Sequence, residues 1–296
     1  RLQKKNIYMA KKATNPTQSL KIPQVIILSS KLLAFISPKL VTRFAAKLFT
    51  TPVKHKVPKR ELEIDKKSTK NTFFIPAIRK NITTYKYGKS EKKVLLVHGW
   101  SGRGTQLFKI ADELVQNGYS TISFDAPAHG KSEGKTTIMS EFIASILEID
   151  KQYGPFEIAI GHSLGGMSVL NAIKDGLKVK KAIIIGSGDI VHDILEEFVS
   201  KLGLKTEISN KLRDHFENQY ELKMDDFSAY RAAQKSEIPV LVIHDKDDPE
   251  VPVKAGIHIH KNLQNGNFFL TEGLGHRKIL GNQNVIKKII DFIKTT

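Results

Sequence analysis

The chain has 296 residues, 40% of them hydrophobic, and contains no cysteine. It is long enough for one large α/β domain or two small ones, and the lack of cysteine excludes disulfides, thiolate metal sites and cysteine catalysis. The net charge of +17 lies at the N-terminus, since residues 1–60 contain 14 Lys and Arg and no Asp or Glu. Residues 94–296 contain 24 basic and 26 acidic residues. Because no nucleic-acid-binding motif accompanies the charge, we expect no nucleic acid as a partner.

Residues 1–72 are predicted to form a basic N-terminal extension of amphipathic helices that ends in a charged linker over 53–72. The apolar segment 22–36 is too short and too interrupted to span a membrane, and no small-x-small cleavage site follows it. A short uncleaved membrane anchor stays as an alternative. In residues 38–49, apolar side chains share one helical face and basic ones the other. This face either docks on the main domain or lies on an anionic membrane. Residues 22–50 are therefore a candidate for peripheral membrane contact.

The remainder, residues 73–296, is predicted to be one α/β domain in which strands and helices alternate. We expect strands at residues 83–87, 93–97, 121–124, 156–160, 182–185, 239–243 and 268–270. We expect helices at residues 104–117, 137–151, 167–173, 253–263 and 283–293. Continuous apolar strands that alternate with helices indicate a mostly parallel sheet covered on both faces.

Residues 187–236 interrupt this alternation with no predicted strand. Apolar residues at helical spacing predict two amphipathic helices, over 190–202 and 208–216. The segment contains 7 basic and 10 acidic residues. It is either a packed decoration or a cap over the site, and we favour the cap. An acidic cover with apolar inner faces would favour a substrate with an apolar group.

Residues 161–166 read Gly-His-Ser-Leu-Gly-Gly, a G-x-S-x-G motif between a predicted strand and a predicted helix. A turn of this kind strains the backbone at the serine and lifts its hydroxyl clear of the sheet. The flanking positions must be glycine because a Cβ would collide where strand and helix come close. Ser163 is therefore the predicted nucleophile.

A nucleophilic serine needs a base and an acid that orients it. His276 follows the last predicted strand, and loops at the carboxyl ends of parallel strands converge on one crevice, where Ser163 also lies. The loop after the strand at 239–243 offers Asp245, Asp247 and Asp248 as the acid, and composition does not separate them. Asp189 is a further candidate.

The oxyanion of an acyl-transfer intermediate requires preorganised backbone N–H donors. Leu164 follows the nucleophile at a helix N-terminus, where amides are free and the dipole favours negative charge. The second donor is expected from Trp100, in the turn after the strand at 93–97. His98 in the same turn is expected to be structural rather than catalytic.

These motifs resemble those of α/β-hydrolase-fold serine hydrolases of the esterase and lipase type, across about residues 80–296. Residues 94–100 resemble the family's oxyanion strand and turn, residues 124–132 resemble its F-D-x-x-G-H-G-x-S loop, and the order serine, acid, histidine is the family's own. The family pattern H-G-x-x-D-x-x-V-P implies Asp248 as the acid. Two departures stand out: Asp245 replaces an expected glycine, and Ala128 lies where a glycine often sits.

The resemblance implies a serine hydrolase that cleaves a carboxylic ester with an apolar acyl or alkyl group through an acyl-enzyme, without cofactor or metal. A thioesterase or an acyltransferase on the same three residues is the alternative within enzymes. The alternative of another class is a membrane-associated binding protein that kept the fold and lost the chemistry. We expect a cytoplasmic location, with membrane association through the N-terminal extension left open. The sequence does not identify the substrate.

Overall fold

The computed structural model describes residues 22–295, so the first part of the N-terminal extension lies outside the described residues. The strands are β1 (Thr69–Ile75), β2 (Lys80–Tyr87), β3 (Lys93–Val97), β4 (Ser120–Asp125), β5 (Ile158–His162), β6 (Lys181–Ile185), β7 (Val240–Asp245) and β8 (Gly266–Thr271). The helices are α1 (Gln24–Ile36), α2 (Pro38–Phe49), α3 (Leu62–Lys67), α4 (Phe108–Gln116), α5 (Met139–Tyr153), α6 (Leu164–Lys174), α7 (Val191–Lys201), α8 (Glu207–Tyr220), α9 (Ala229–Ala233), α10 (Val253–Asn262), α11 (Gly275–Lys278) and α12 (Gln283–Lys294).

The strands form one eight-stranded sheet in the order β1-β2-β4-β3-β5-β6-β7-β8. β1 pairs antiparallel with β2, and β2 pairs antiparallel with β4, while the other neighbours are parallel. The mostly parallel sheet predicted from the sequence is confirmed. Its parallel strands end together, so the turns after β3, β5, β6, β7 and β8 meet at one edge.

Side chains alternate between the two faces of the sheet, and each face has its own helices. Leu95, Val97 and Val242 belong to the core that includes residues of α5, α6, α9 and α10. Val94 and Leu96 belong to the core on the other face, with residues of α4 and α12. Burial on both faces explains why these strands are apolar at every position.

The interpretation of residues 53–72 as a linker is wrong for its second half. This segment contains α3 and the first residues of β1, which pairs along its full length with β2. The first four residues of β1 read Thr-Lys-Asn-Thr and are exposed, because β1 is the edge strand. A polar edge strand lacks the apolar alternation that reveals a half-buried strand.

The N-terminal helix α2 packs on the helices of the insertion between β6 and β7. Val41 and Ala45 of α2 are fully buried in a third apolar core, with Leu195 of α7 and Leu212 of α8. The docked interpretation of this helix is confirmed, although its partner is the helical insertion rather than the sheet. Within residues 22–295, no helix is long and apolar enough to cross a membrane.

Candidate active site

The predicted nucleophile turn joins β5 to α6 at the carboxyl edge of the sheet. Ser163 has φ 55° and ψ −123°, a strained backbone conformation for a residue other than glycine. Its N–H donates to the carbonyl oxygen of Ile185 at 2.9 Å, which fixes the turn against β6. A Cβ on Gly161 would collide with the carbonyl of Gly165, and a Cβ on Gly165 with the carbonyl of Val97. The strained turn and the close approach of strand and helix are confirmed.

A buried histidine and a buried carboxylate form a pair at the same edge. His276 lies in α11, and its Nδ1 is 2.7 Å from Oδ2 of Asp248, with both side chains at most 4% exposed. Oδ1 of Asp248 accepts the N–H groups of Glu250 and Val251 at 2.8 and 2.9 Å. Because an ionised carboxylate only accepts hydrogen bonds, Nδ1 of His276 carries the hydrogen. The Nε2 of a neutral ring is then free to accept a proton.

The environment of Asp248 favours its ionised form. Burial opposes the charge and would raise the pKa of this carboxyl. The hydrogen bond from His276, the charge of that ring and the two backbone N–H groups outweigh the burial and hold the pKa of Asp248 below its ordinary value. The carboxylate of Asp248 is therefore ionised near pH 7.

Asp245, which the sequence left open as the acid, is a structural residue of the loop. It is fully buried, and its Oδ2 accepts Oγ1 of Thr271 at 2.7 Å and the N–H of Leu274 at 3.1 Å. Its Oδ1 accepts the N–H of Asp247 at 3.0 Å. These bonds tie the end of β7 to the segment that leads into His276. The aspartate in place of the expected glycine thus holds two loops together.

The other two candidate carboxylates have partners elsewhere. Oδ2 of Asp247 accepts the N–H of Gly273 at 3.0 Å. Oδ2 of Asp189 lies 2.5 Å from Nδ1 of His258, and burial raises the pKa of this aspartate. Among the four candidates, Asp248 is the one in contact with His276.

His162, inside the G-x-S-x-G motif, contacts His276 in a way that sequence reasoning missed. Its Nε2 donates to the main-chain carbonyl of His276 at 2.9 Å, and the two rings are 4.6 Å apart. Burial, together with the neighbouring His276, lowers the pKa of His162 well below its ordinary value, so the ring is neutral. The motif allows any residue at this position, and no sequence signal indicated the contact.

The turn after β3 orients the N–H of Trp100. The carbonyl of Gly99 accepts Nδ1 of His98 at 2.7 Å and the N–H of Gly102 at 3.0 Å. In a trans peptide the C=O and the following N–H point in opposite directions, so the Trp100 N–H faces away from these two donors. A Cβ on Gly99 would lie 2.8 Å from the Cβ of Ser163, so the turn packs directly against the nucleophile turn.

Leu164, the other predicted donor, is the first residue of α6, and its N–H has no acceptor within the helix. Trp100 and Leu164 line the same cavity as Ser163. His98 is structural, as predicted: its Nε2 accepts the N–H of Ala126 at 3.0 Å. Burial lowers the pKa of His98 to about 4, so its ring is neutral near pH 7.

The loop after β4 braces the turn that contains Trp100. A carboxylate oxygen of Asp125 accepts the N–H of Lys131 at 2.7 Å, which closes the loop. Nε2 of His129 accepts the N–H of Ser101 at 3.0 Å, and burial lowers the pKa of His129 to about 3. Ala128 has φ 65°, a left-handed conformation that accounts for the glycine often found in this position.

A cavity of about 1070 Å³ lies over Ser163 and His276. The insertion helices α7 and α8 and the end of α2 contribute its walls, which are mainly apolar and include Met139, Met167, Ile194, Phe198, Phe216 and Phe227. Within residues 22–295, no group of three or more His, Cys, Asp or Glu side chains could hold a metal ion. Nucleophilic acyl transfer uses a serine hydroxyl, an imidazole, a buried carboxylate and two oriented N–H groups, and the site contains each of these.

Two family models match the chain. The first, described as alpha/beta hydrolase fold, matches residues 92–202, and the second, described as TAP-like protein, matches residues 224–296. A comparison with curated protein sequences finds no match.

Solved structures of esterases and lipases share the architecture at low sequence identity. An esterase from Pyrococcus furiosus superposes with a TM-score of 0.64 at 14% identity, over 83% of this chain and 97% of that one. An esterase from Exiguobacterium antarcticum gives 0.61 at 19% identity, over 76% and 100%. A monoacylglycerol lipase from Paleococcus ferrophilus gives 0.56 at 18% identity, over 72% and 98%. With the sheet order described above and the two matched regions, the chain has the α/β-hydrolase fold.

Proposed function

We propose that this protein is a serine hydrolase that cleaves carboxylic esters with an apolar acyl or alkyl group. One observation carries the proposal: Ser163 in its strained turn and the His276–Asp248 pair meet at one apolar cavity. The esterases and the lipase that share the fold support ester bonds as the target.

In the proposed reaction, Nε2 of His276 takes the proton of Ser163 while Oγ attacks the ester carbonyl carbon. The N–H groups of Trp100 and Leu164 stabilise the oxyanion. The imidazolium then protonates the leaving alcohol, which leaves an acyl group on Ser163. Water, deprotonated by His276, attacks this acyl group and releases the carboxylic acid. Asp248 keeps the proton on Nδ1 and stabilises the imidazolium throughout.

The walls of the cavity support an apolar acyl or alkyl group as the part of the substrate that is recognised. Aromatic and aliphatic side chains from α5, α6, α7 and α8 line it, and the carboxylates of Asp193, Glu196 and Glu197 lie among them. Asp193 and Glu197 are paired with Lys254 and Lys201, which line the same cavity, so these charges are balanced. The apolar walls gain about 0.8 kcal/mol for each methylene that they bury. An uncharged ester with a hydrocarbon chain therefore suits this cavity better than a polyanionic one.

The test is covalent labelling by a fluorophosphonate probe together with turnover of nitrophenyl butyrate. Ser163→Ala should abolish labelling and lower kcat by at least about 10⁴-fold, with only oxyanion stabilisation and binding left. Ser145→Ala, in α5 and outside the cavity, is the matched control and should label normally. A wild-type protein that forms no adduct at Ser163 would instead be a binding protein that kept the fold without the chemistry.

We further propose that residues 22–50 make a peripheral contact with an anionic membrane. One face of α1 carries a stripe of exposed apolar side chains, and Phe35 on this stripe is 91% exposed. The members of the stripe are Val25, Leu28, Leu32, Phe35 and Ile36. The opposite face of α1, including Ile26 and Leu33, packs on the core formed by α2 and the insertion. The stripe is therefore presented outward by a docked helix.

The charge around the stripe favours lipid over a second copy of the chain. Lys31 of α1 and Lys39, Arg43 and Lys47 of α2 are exposed, and residues 22–50 contain no Asp or Glu. Two copies meeting through this face would bring like charges together, whereas each Lys or Arg near an anionic lipid surface contributes about 1 kcal/mol. An apolar stripe flanked by basic residues is typical of interfacial helices.

Sedimentation with phosphatidylcholine vesicles, with and without phosphatidylglycerol, tests this contact. The double variant Leu28→Ser, Phe35→Ser should weaken binding to anionic vesicles by at least about tenfold, because it removes two apolar anchors. Phe74→Ser, at an exposed site in β1, is the control and should bind like the wild type. Equal binding by all three proteins would contradict the contact, and a dimer lost only in the double variant would identify a second copy as the partner.

A further inference from the structure

Part of the cavity wall comes from the N-terminal extension, which neither family model matches. Leu48 and Phe49, in the last turn of α2, line the cavity together with Phe198 of α7 and Phe216 of α8. The ring of Phe49 meets that of Phe198 edge-on at 5.1 Å between centroids and that of Phe216 at 5.7 Å. The N-terminal extension thus completes the cap side of the proposed substrate cavity.

The end of α2 is held firmly on both sides. Before it, Val41 and Ala45 are fully buried against the insertion helices. After it, the carbonyl of Thr50 accepts the N–H of Thr137 at 2.9 Å. The N–H of Val53 then donates to Oγ of Ser101, beside Trp100, at 3.0 Å. Phe49 is therefore a fixed wall, anchored to the same turn that carries a proposed oxyanion donor.

We propose that Phe49 is a specificity-determining residue, which sets the length of the hydrocarbon chain that the cavity accepts. This inference rests on the proposed ester hydrolysis and names the residue that limits its substrate. The ring lies between two aromatic side chains of the cap, so a chain that extends from Ser163 into the cap meets an apolar stop. Each methylene that enters apolar surroundings changes binding by roughly fourfold. Removing the ring makes room for further methylenes.

The competing explanation is that Phe49 only packs α2 against the cap. Phe44, in the same helix, provides the comparison because it is half-buried but does not line the cavity. Loss of either ring removes apolar packing from α2, whereas loss of the Phe49 ring alone enlarges the cavity. If Phe49 only packed α2, both variants would have a lower unfolding free energy, and neither would change how kcat/KM depends on the length of the acyl chain.

The experiment measures kcat/KM for nitrophenyl esters from butyrate to palmitate in the wild type and in Phe49→Ala, Phe49→Trp and Phe44→Ala. Phe49→Ala should raise the palmitate-to-butyrate ratio by at least about tenfold, and Phe49→Trp should lower it, because the two changes move the wall in opposite directions. Phe44→Ala should keep the wild-type ratio. An unchanged ratio in Phe49→Ala, or the same shift in Phe44→Ala, would overturn the assignment.

Binding separates this inference from the proposed function. In the Ser163→Ala background, octanoate and palmitate compete with a fluorescent fatty acid for the cavity without any turnover. Phe49→Ala should improve competition by palmitate relative to octanoate. If the wild type hydrolyses no ester but the binding preference shifts, the proposed chemistry fails and the wall assignment holds. If esters are cleaved and neither ratio shifts, the wall assignment fails alone.

Discussion

Replacing Asp248 by asparagine should disable the proposed base by reversing its tautomer. Oδ1 of Asp248 accepts two backbone N–H groups, from Glu250 and Val251. An asparagine must place its carbonyl oxygen there, because an NH₂ group would face two donors. Its NH₂ group then faces Nδ1 of His276, which occupies the Oδ2 side at 2.7 Å. The ring must present a bare Nδ1 and carry its proton on Nε2, where it cannot accept from Ser163.

The expected magnitude follows from this geometry. A wrong tautomer behind a serine nucleophile lowers kcat by about 10⁴-fold, because the general base is absent in the resting enzyme. Stability should change by less than about 1 kcal/mol, since every buried polar group of the loop keeps a partner in the asparagine variant. The change should therefore appear in kcat on nitrophenyl butyrate and not in the urea midpoint.

Asp245→Asn is the matched control, because it makes the same substitution three residues earlier in the same loop. Its carbonyl oxygen can keep the bonds to Thr271 and Leu274, so the N–H of Asp247 loses its acceptor. We expect a loss of about 1–3 kcal/mol in unfolding free energy and a fall in kcat of less than about tenfold. If Asp245→Asn were the more damaging to kcat, or if Asp248→Asn kept about a tenth of wild-type kcat, the assignment of the acid would be refuted.

Three further predictions concern the scaffold of the site. Gly165→Ala should lower the unfolding free energy by about 3 kcal/mol or more, because its Cβ meets the backbone of β3, and an unchanged urea midpoint would contradict that contact. His162→Phe should lower kcat by up to about 10²-fold at similar KM, because the carbonyl of His276 loses its donor. His162→Gln supplies an amide donor and should keep most of kcat. Equal losses of kcat in both variants would argue that His162 does not position His276. Unfolding free energy should fall by about 2 kcal/mol for each of His98 and His129 from about pH 7.5 to about pH 5. Burial lowers their pKa values from 6.5 to about 4 and about 3, so below pH 6.5 the unfolded chain takes up protons that the folded chain does not. An unfolding free energy that stays constant from about pH 7.5 to about pH 5 would exclude neutral buried rings.

The parts of the fold that could be predicted are those with a periodic apolar pattern. β3, β5, β6 and β7 are buried on both faces and read as continuous apolar runs, so their positions and their parallel pairing follow from the sequence. β1 could not be found in this way, because an edge strand with polar residues is stabilised by its pairing with β2 rather than by burial of its own side chains. Helix α2 was visible as amphipathic, but its pattern was equally consistent with docking and with a membrane.

The nucleophile could be predicted from the sequence because a G-x-S-x-G turn is contiguous and its strain and its need for small neighbours are local. The region of the base could also be predicted, since chain order and parallel strands bring that loop to the same edge. The residues of the loop left three aspartates open and the family pattern implied Asp248, but the contact between Asp248 and His276, 28 residues further along the chain, is visible only in the tertiary structure. Neighbouring residues of one loop point in different directions, and those directions depend on bonds made by distant segments, such as the bonds of Asp245 to Thr271 and Leu274. For the same reason, only the structure revealed that the N-terminal helix forms a wall of the cavity.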